Sequence, residues 1–515
     1  MGYSVTNDRI EFNTIDIGRD CYVGANSFLS INTAMGDDAM LLEQSMLASG
    51  SVIPPKHIAS GSLARSSKID QPLSEVPGIS ANEPEPGGFK FITCFLIFGL
   101  IFLPLVPALA SIPGLFLLLW IWINPVYSSN ALVWIGGLVM AEALFVVSLC
   151  IIIAGFKKLI LPSVKPGEYP LRSMFYLRKW TVDRLVGLSL TLNNAQYRTL
   201  YLAPFLRMLG AKIGARGEIA TVSSITPEML IIENEAFVAD MASIGPARVY
   251  HGILMVAPIT IGNRTFIGNA ALIPVGAAIL DGCLIGVQST PPKGAIDPGS
   301  IWLGLPPIYL PQRQIVEGFG EEQTYKPSLS AYALRYAYEF FRATLPPAFA
   351  YGIFGITLLF YIDGLTMLGP GLLLPFLPFI YLLPALIAIL IVVAFKWLFI
   401  GRYRPRIEPL WSHFVRRTEF ITALYENIAV PLLIGPLLGT PFPWIVLRLF
   451  GVKIAKNALL LTTYMTEFDL VEIGDKCAIN SGVSLQTHLF EDRVMKMSHV
   501  RVGSGSMIGQ RSVVL

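Results

Sequence analysis

Residues 261–285 read IGNRTFIGNAALIPVGAAILDGCLI, and the spacing of their isoleucines decides the fold. Ile261, Ile267, Ile273, Ile279 and Ile285 recur every sixth position, and four residues after each stands a small one: Thr265, Ala271, Ala277, Cys283, Ser289. Such a period fits neither the helical repeat of 3.6 nor strand alternation. Six residues per strand and turn, with three faces per coil, is the signature of a parallel β-helix built from hexapeptide repeats. The aliphatic residue fills the prism and the small one fits near its corner. Glycine often follows the aliphatic, as in Gly24, Gly262, Gly268 and Gly474, which reads as a turn that needs unusual backbone angles.

Working outward, the same row occurs in Ile17, Val23, Leu29, Met35, Leu41 and Leu47, and again in Ile473, Ile479, Val502 and Ile508. Copies two and three align without a gap, for G210-A-K-I matches G451-V-K-I and Arg207 matches Arg448. Copy one begins abruptly, since N7-D-R-I matches E491-D-R-V and sets Ser4 against His488. Copy three stops before the closing coils of copy two, so both ends read as cut.

The 515 residues carry only 14% charged side chains, and their mean hydropathy is +0.60. Soluble proteins average roughly 25% charged, so the composition points to lipid. A net charge of +3 offers no footprint for nucleic acid. Cys21, Cys94, Cys150, Cys283 and Cys477 lie too far apart for a disulfide framework or a metal site. Four apolar runs are long enough to cross a bilayer: Phe91 to Ile123, Ala131 to Gly155, Pro346 to Ile362 and Gly371 to Ala394. Lys90, Lys157, Lys158, Arg342 and Lys396 flank them, which puts the outer ends of both hairpins, and with them the β-helices, on the cytoplasmic side. Glu142 sits mid-span as an intramembrane acid.

The expected fold is thus a multi-pass integral membrane protein of mixed β and α content, with three left-handed parallel β-helix domains separated by two transmembrane helical hairpins. β-Helix one covers 1–66, a disordered linker 67–90, the first hairpin 91–156, interfacial helices 157–202 and β-helix two 203–318. A linker at 319–345, the second hairpin at 346–396, interfacial helices at 397–444 and β-helix three at 445–515 follow. The three prisms are expected to pack around one axis as an intramolecular pseudo-trimer with both hairpins in the membrane beneath, and a further oligomer is a possible partner.

Chemistry is sought where the hexad breaks. After Leu485 the run Q486-T-H-L-F-E-D-R-V-M-K496 brings together His488, Glu491, Asp492, Arg493 and Lys496. His488 is the candidate general base, Glu491 or Asp492 the carboxylate that fixes its tautomer, and Arg493 and Lys496 the ligands of an acceptor carboxylate. A solvated polar loop is the competing reading. At the aligned place in copy two Ala247 replaces His488, and Asp240, Arg248 and His251 are the nearby substrate-lining candidates. No phosphate loop, nucleophile elbow or zinc-protease helix occurs.

The order of elements, with Q486-T-H-L-F-E-D-R-V-M-K and S300-I-W-L-G-L-P-P-I-Y-L-P-Q-R, resembles the C-terminal membrane region of ε-poly-L-lysine synthetase and related non-ribosomal peptide synthetase-like proteins. The resemblance implies an aminoacyl transferase that joins a carrier-bound aminoacyl thioester to a free amino acid or a growing chain. The donor would be the 4'-phosphopantetheine arm of an upstream carrier domain loaded by an adenylation domain, with no cofactor bound by this region itself. A membrane acyltransferase using coenzyme A and a non-catalytic scaffold for the carrier domain are the alternatives.

Overall fold

A computed structural model describes residues 2–6, 9–68, 89–223, 225–294, 296–313 and 318–515. Most of the linker expected at 67–90 lies outside the described residues. The chain forms two compact units, Met1–Ala110 with Ser148–Ile315, and Ser111–Val147 with Val316–Leu515.

In the first unit, copy one builds three parallel faces. Ile15–Ile17, Thr33–Met35 and Val52–Ile53 pair on one, and Tyr22–Val23, Met40–Leu41 and His57–Ser60 on the next. Phe28–Leu29 and Met46–Leu47 make the third. Each aliphatic stacks on its equivalent one coil, or three hexads, later, so Ile17 meets Met35 and Met35 meets Ile53. Met35, Ala39, Leu41, Leu47, Ile53 and Ala59 form the buried core, which accounts for the period of six.

The expected role of the glycines is corrected. The left-handed residues stand three places after the aliphatic, at Asp20, Asn26, Asn32 and Asp38 with φ of 53°, 58°, 58° and 58°. Asn and Asp tolerate that region because a short polar side chain can bond locally. The glycine directly after the aliphatic is needed for space: a Cβ on Gly24 would lie 2.3 Å from the backbone nitrogen of Glu43 in the next coil, and one on Gly262 2.4 Å from Asp281 Oδ1.

Copies two and three share one strand plan. Lys212–Ile213, Leu230–Ile232 and Ile259–Ile261 correspond to Lys453–Ile454, Val471–Ile473 and Val500–Val502. Between the last two strands of each set an antiparallel hairpin is inserted: Arg248–Tyr250 with Ile253–Val256 in copy two, and His488–Glu491 with Val494–Met497 in copy three. A strand from the lead-in completes a three-stranded sheet, Gly167–Pro170 against Ile253–Val256 and Arg406–Pro409 against Val494–Met497. The hexad break is therefore a paired ribbon and not a bulging loop. Copy one carries the same hairpin, Gly2–Thr6 with Arg9–Asn13. Thr6 opposite Arg9 closes it as Glu491 opposite Val494 closes the other, so the register sets Tyr3, and not Ser4, at the place of His488.

Helices α1 (Phe89–Ile123), α2 (Ala131–Ile160), α3 (Met174–Leu192), α4 (Leu202–Met208), α5 (Leu329–Leu373), α6 (Leu377–Phe399), α7 (His413–Leu424) and α8 (Pro443–Phe450) connect the coils. Among the described residues four stretches are long and apolar enough to cross a membrane: Phe95–Ile123, Ala131–Ile160, Leu329–Phe399 and His413–Leu437. The third holds both α5 and α6, broken where Gly369 takes φ 71° before Pro370, inside the connection expected between the two apolar runs. The linker expected at 319–345 is helical from Leu329 onward. The fourth stretch lies in the segment read as interfacial, where α7 runs into a π-helical turn, Tyr425–Ile434, that contains Pro431. Glu142 is buried.

The duplicates also repeat an ion pair. Lys157 at the end of α2 binds Glu228, and Lys396 at the end of α6 binds Asp469 at 2.7 Å. Both acids sit in the short 3-10 turns, Pro227–Met229 and Phe468–Leu470, that open the second coil. Arg207 and Arg448 each donate to the carbonyl of the residue that ends the first strand, Ile213 and Ile454.

Candidate functional site

The candidate site is assembled where the copy-three hairpin leaves the coil. Glu467, just before the 3-10 turn, takes left-handed angles, φ 39° and ψ 57°, and its side chain folds inward until the residue is 1% exposed. Its Oε2 accepts three bonds: from His488 Nδ1 at 2.8 Å, from Thr487 Oγ1 at 2.6 Å and from Thr466 Oγ1 at 2.6 Å. Burial alone would push the Glu467 carboxyl up, but the adjacent imidazole and these donors hold it below the usual carboxylate range. The His488 side chain stays about one-fifth exposed, with the Phe490 ring edge-on at 5.3 Å. A carboxylate on Nδ1 fixes a neutral imidazole as the Nδ1–H tautomer, so Nε2 carries the lone pair. A histidine oriented by a buried acid can take a proton from an attacking group and return it to a leaving group.

Glu467 was missed by sequence reasoning, which assigned the orienting role to Glu491 or Asp492. Glu491 lies three residues along an extended strand from His488, about 10 Å away and on the other face. It pairs instead with Lys496 at 2.7 Å, which also occupies the residue proposed to hold an acceptor carboxylate. Asp492 and Arg493 form the two-residue turn, with φ of 49° and 59°. Arg493 is 1% exposed, its guanidinium is 5.1 Å from the centre of the Tyr325 ring, and its carbonyl accepts from Leu410 N at 2.8 Å. That burial makes it part of the hairpin's foundation and takes it off the substrate surface.

In copy two the counterparts of Glu467 and His488 are Thr226 and Ala247, so both members of the pair are replaced at once. Comparison of the duplicates at these two positions is the signal that finds Glu467. The three copy-two candidates do not form a site. Asp240 is held by Arg198 at 3.1 Å and by the Thr221 amide. His251 stands exposed in the hairpin turn, packed against Tyr250.

Arg248 reaches across to copy one within the first unit and binds Glu43 at 2.8 Å, where the Tyr22 hydroxyl also donates to Glu43. Burial raises the Glu43 carboxyl, yet the Arg248 guanidinium outweighs it and holds the group below the usual range. Gln44 Nε2 adds a bond to the Ala270 carbonyl at 2.7 Å. These contacts join copy one to copy two, and they make Arg248 an interface residue. Among the described residues no His, Cys, Asp and Glu side chains cluster as a metal site.

The hexapeptide-repeat family model of succinyl-transferases matches residues 14–41 and 258–290. A delta-poly-L-ornithine synthetase from Acinetobacter baumannii (strain AB307-0294) is 34% identical over 523 residues, covering 99% of this chain and 39% of that protein. No solved structure matches. The relative is named for poly-ornithine, so the match reaches a poly-amino-acid synthetase without singling out the ε-poly-L-lysine synthetases. The chain spans about two fifths of that relative's length, and along nearly all of its own it is similar to part of a poly-amino-acid synthetase, while the transferase-type hexapeptide repeats are matched in this chain itself.

Proposed function

We propose that this chain is the amide-forming transfer region of a membrane-bound poly-amino-acid synthetase, with its chemistry in copy three. The observation that supports the reading is the buried Glu467 that orients His488 at the mouth of the inserted hairpin. The donor is an aminoacyl thioester on the 4'-phosphopantetheine arm of a carrier domain, loaded by an adenylation domain, and the acceptor is the amine of a basic amino acid or of the growing chain. His488 Nε2 takes a proton as the amine nitrogen attacks the thioester carbonyl. The tetrahedral intermediate collapses with loss of the carrier thiolate, which recovers that proton. One C–S bond is exchanged for one C–N bond, and no oxidant or nucleotide is consumed. The acidic partner makes the transient imidazolium less costly to form.

The β-helices share the cytoplasmic side in this reading, because loaded carrier and amino acid are supplied there. Coenzyme A thioesters as donors, or a purely scaffolding role, are the competing functions. The solubilised chain, mixed with a separately loaded carrier and free ornithine or lysine, is expected to give the amide, detected by mass. His488→Ala is expected to lower single-turnover transfer by about 10² to 10⁴, with an unchanged melting temperature. Equal turnover from a coenzyme A thioester without carrier would replace the donor, and an unaffected His488→Ala protein would remove the base.

A further inference from the structure

α8 carries apolar side chains on two sides. Pro443, Val446, Leu447 and Phe450 are buried against the unit's own core, while Phe442 before the helix, Ile445 and Leu449 form an exposed stripe. A surface helix in water keeps one apolar stripe, so the second needs an apolar neighbour. Its surroundings say which. The Leu449 carbonyl accepts from the Trp397 indole at 2.9 Å, and Trp397, Leu398 and Phe399 are the exposed end of the apolar stretch Leu329–Phe399. The stripe of α8 is therefore continuous with the end of a segment long and apolar enough to cross a bilayer.

Beside the stripe lies a basic surface. Arg448 and Lys456 flank the Trp444 ring at 4.6 and 5.4 Å. An open cleft of about 720 Å³ runs from Arg448 along the first coil face, lined by Lys453 and Arg501. Glu472 is its one acid, 3.8 Å from Lys453 and 3.5 Å from Arg501. Copy two retains Arg207 and Lys212, but Ala203, Ala215, Ile231 and Thr260 stand for Trp444, Lys456, Glu472 and Arg501. The aromatic and extra cations belong to copy three alone.

We propose that α8 and the cleft beside it form an anionic phospholipid site, with Phe442, Ile445 and Leu449 in the acyl boundary, Trp444 at headgroup level, and Arg448, Lys453, Lys456 and Arg501 around the phosphates. An indole between apolar and charged groups is the arrangement that membrane interfaces favour. The assignment does not depend on the proposed transferase activity.

The full chain is placed in phosphatidylcholine nanodiscs containing either brominated phosphatidylglycerol or an equal fraction of brominated phosphatidylcholine. The Trp444 signal is taken as the difference between wild type and Trp444→Phe. Both lipids are expected to quench it, the anionic one more strongly. A cation at an anionic surface is worth about five-fold in lipid affinity, so Lys453→Glu with Lys456→Glu should lower the anionic enrichment by an order of magnitude or more and leave phosphatidylcholine quenching intact. Unaltered melting confirms that these exposed substitutions leave the fold in place. Absence of Trp444 quenching, or equal quenching by the two lipids, overturns the proposal. A variant that keeps the lipid preference while losing carrier-dependent transfer assigns the surface to an acidic protein, which overturns it too.

Discussion

Replacing Glu467 by Gln tests how the candidate site works, because the change removes a charge and almost no volume. Three donors converge on one carboxylate oxygen of Glu467, a residue that is 1% exposed. Hydrogen bonds to a charged group are worth about 1.5–3 kcal/mol each. The glutamine amide oxygen can still accept a bond from His488 Nδ1, so the loss that cannot be replaced is the negative charge facing the imidazole. A carboxylate 2.8 Å from Nδ1 also stabilises the imidazolium formed when the amine is deprotonated. At an effective dielectric of 20 that attraction is about 4 kcal/mol for charges 4 Å apart. Allowing for partial compensation by the amide, about 3 kcal/mol of barrier is the expected loss, a roughly 10²-fold slower transfer. Glu467→Ala would be less informative, since stripping the acceptor from buried donors costs folding as well.

The assay is single-turnover transfer from a preloaded carrier, run from pH 6 to 9, with melts in parallel. Glu467→Gln should lose rate while keeping its melting temperature within a few degrees, and Glu467→Gln with His488→Ala should be no slower than His488→Ala alone. A wild-type rate and pH profile in Glu467→Gln would refute the orienting role. Additive losses in the double variant would show that the two residues act separately.

Three further outcomes follow from the coils. Gly24→Ala forces a Cβ to within 2.3 Å of the next coil and is expected to abolish cooperative melting of copy one, whereas Gly50→Ala, with open space but φ 78°, should cost about 1–2 kcal/mol. Arg248→Ala strands Glu43 at the contact between copies one and two; since both side chains are under one-fifth exposed, a loss of about 2–3 kcal/mol is expected by thermal or denaturant melts, partly recovered by Glu43→Gln in the same chain. Stability should decline in acid: Glu43 and Glu467 titrate below their unfolded values, so the stabilisation they give is complete above the ordinary carboxylate value near 4.3 and is lost as pH falls through the lower folded values, which melts between pH 6 and 3 can follow.

The coils were legible because every sixth side chain meets its equivalent one coil later, and a repeat that strict leaves its mark on the composition of each position. The inserted hairpins were legible only as gaps. Their strands are short, and what holds them is a third strand from the lead-in, Arg406–Pro409 for copy three, more than eighty residues away in sequence. His488 could be picked out by its place in such a gap, but its partner could not, because Glu467 approaches from the preceding coil by a left-handed backbone excursion. Nearby carboxylates in sequence, Glu491 and Asp492, were the natural choice and the wrong geometry, since strand alternation turns the first away and the turn takes the second. Arg248 looked like a ligand because a charged residue beside a gap has no visible partner until the other copy's Glu43 is brought to it.

The paired Lys157–Glu228 and Lys396–Asp469 contacts carry a mechanical consequence. In each duplicate a lysine at the end of a long apolar helix is locked to an acid one turn before the second coil, so the helix and the prism have no slack between them. An axial shift or rotation of that helix must be passed to the coil as strain or else break a buried charge pair. In copy three the acid, Asp469, stands two residues from Glu467, so a pull on α6 has a short route to His488. Bilayer thickness and lateral tension would thereby act as inputs to the rate of the proposed transfer, a dependence that reconstitution in lipids of graded chain length can measure.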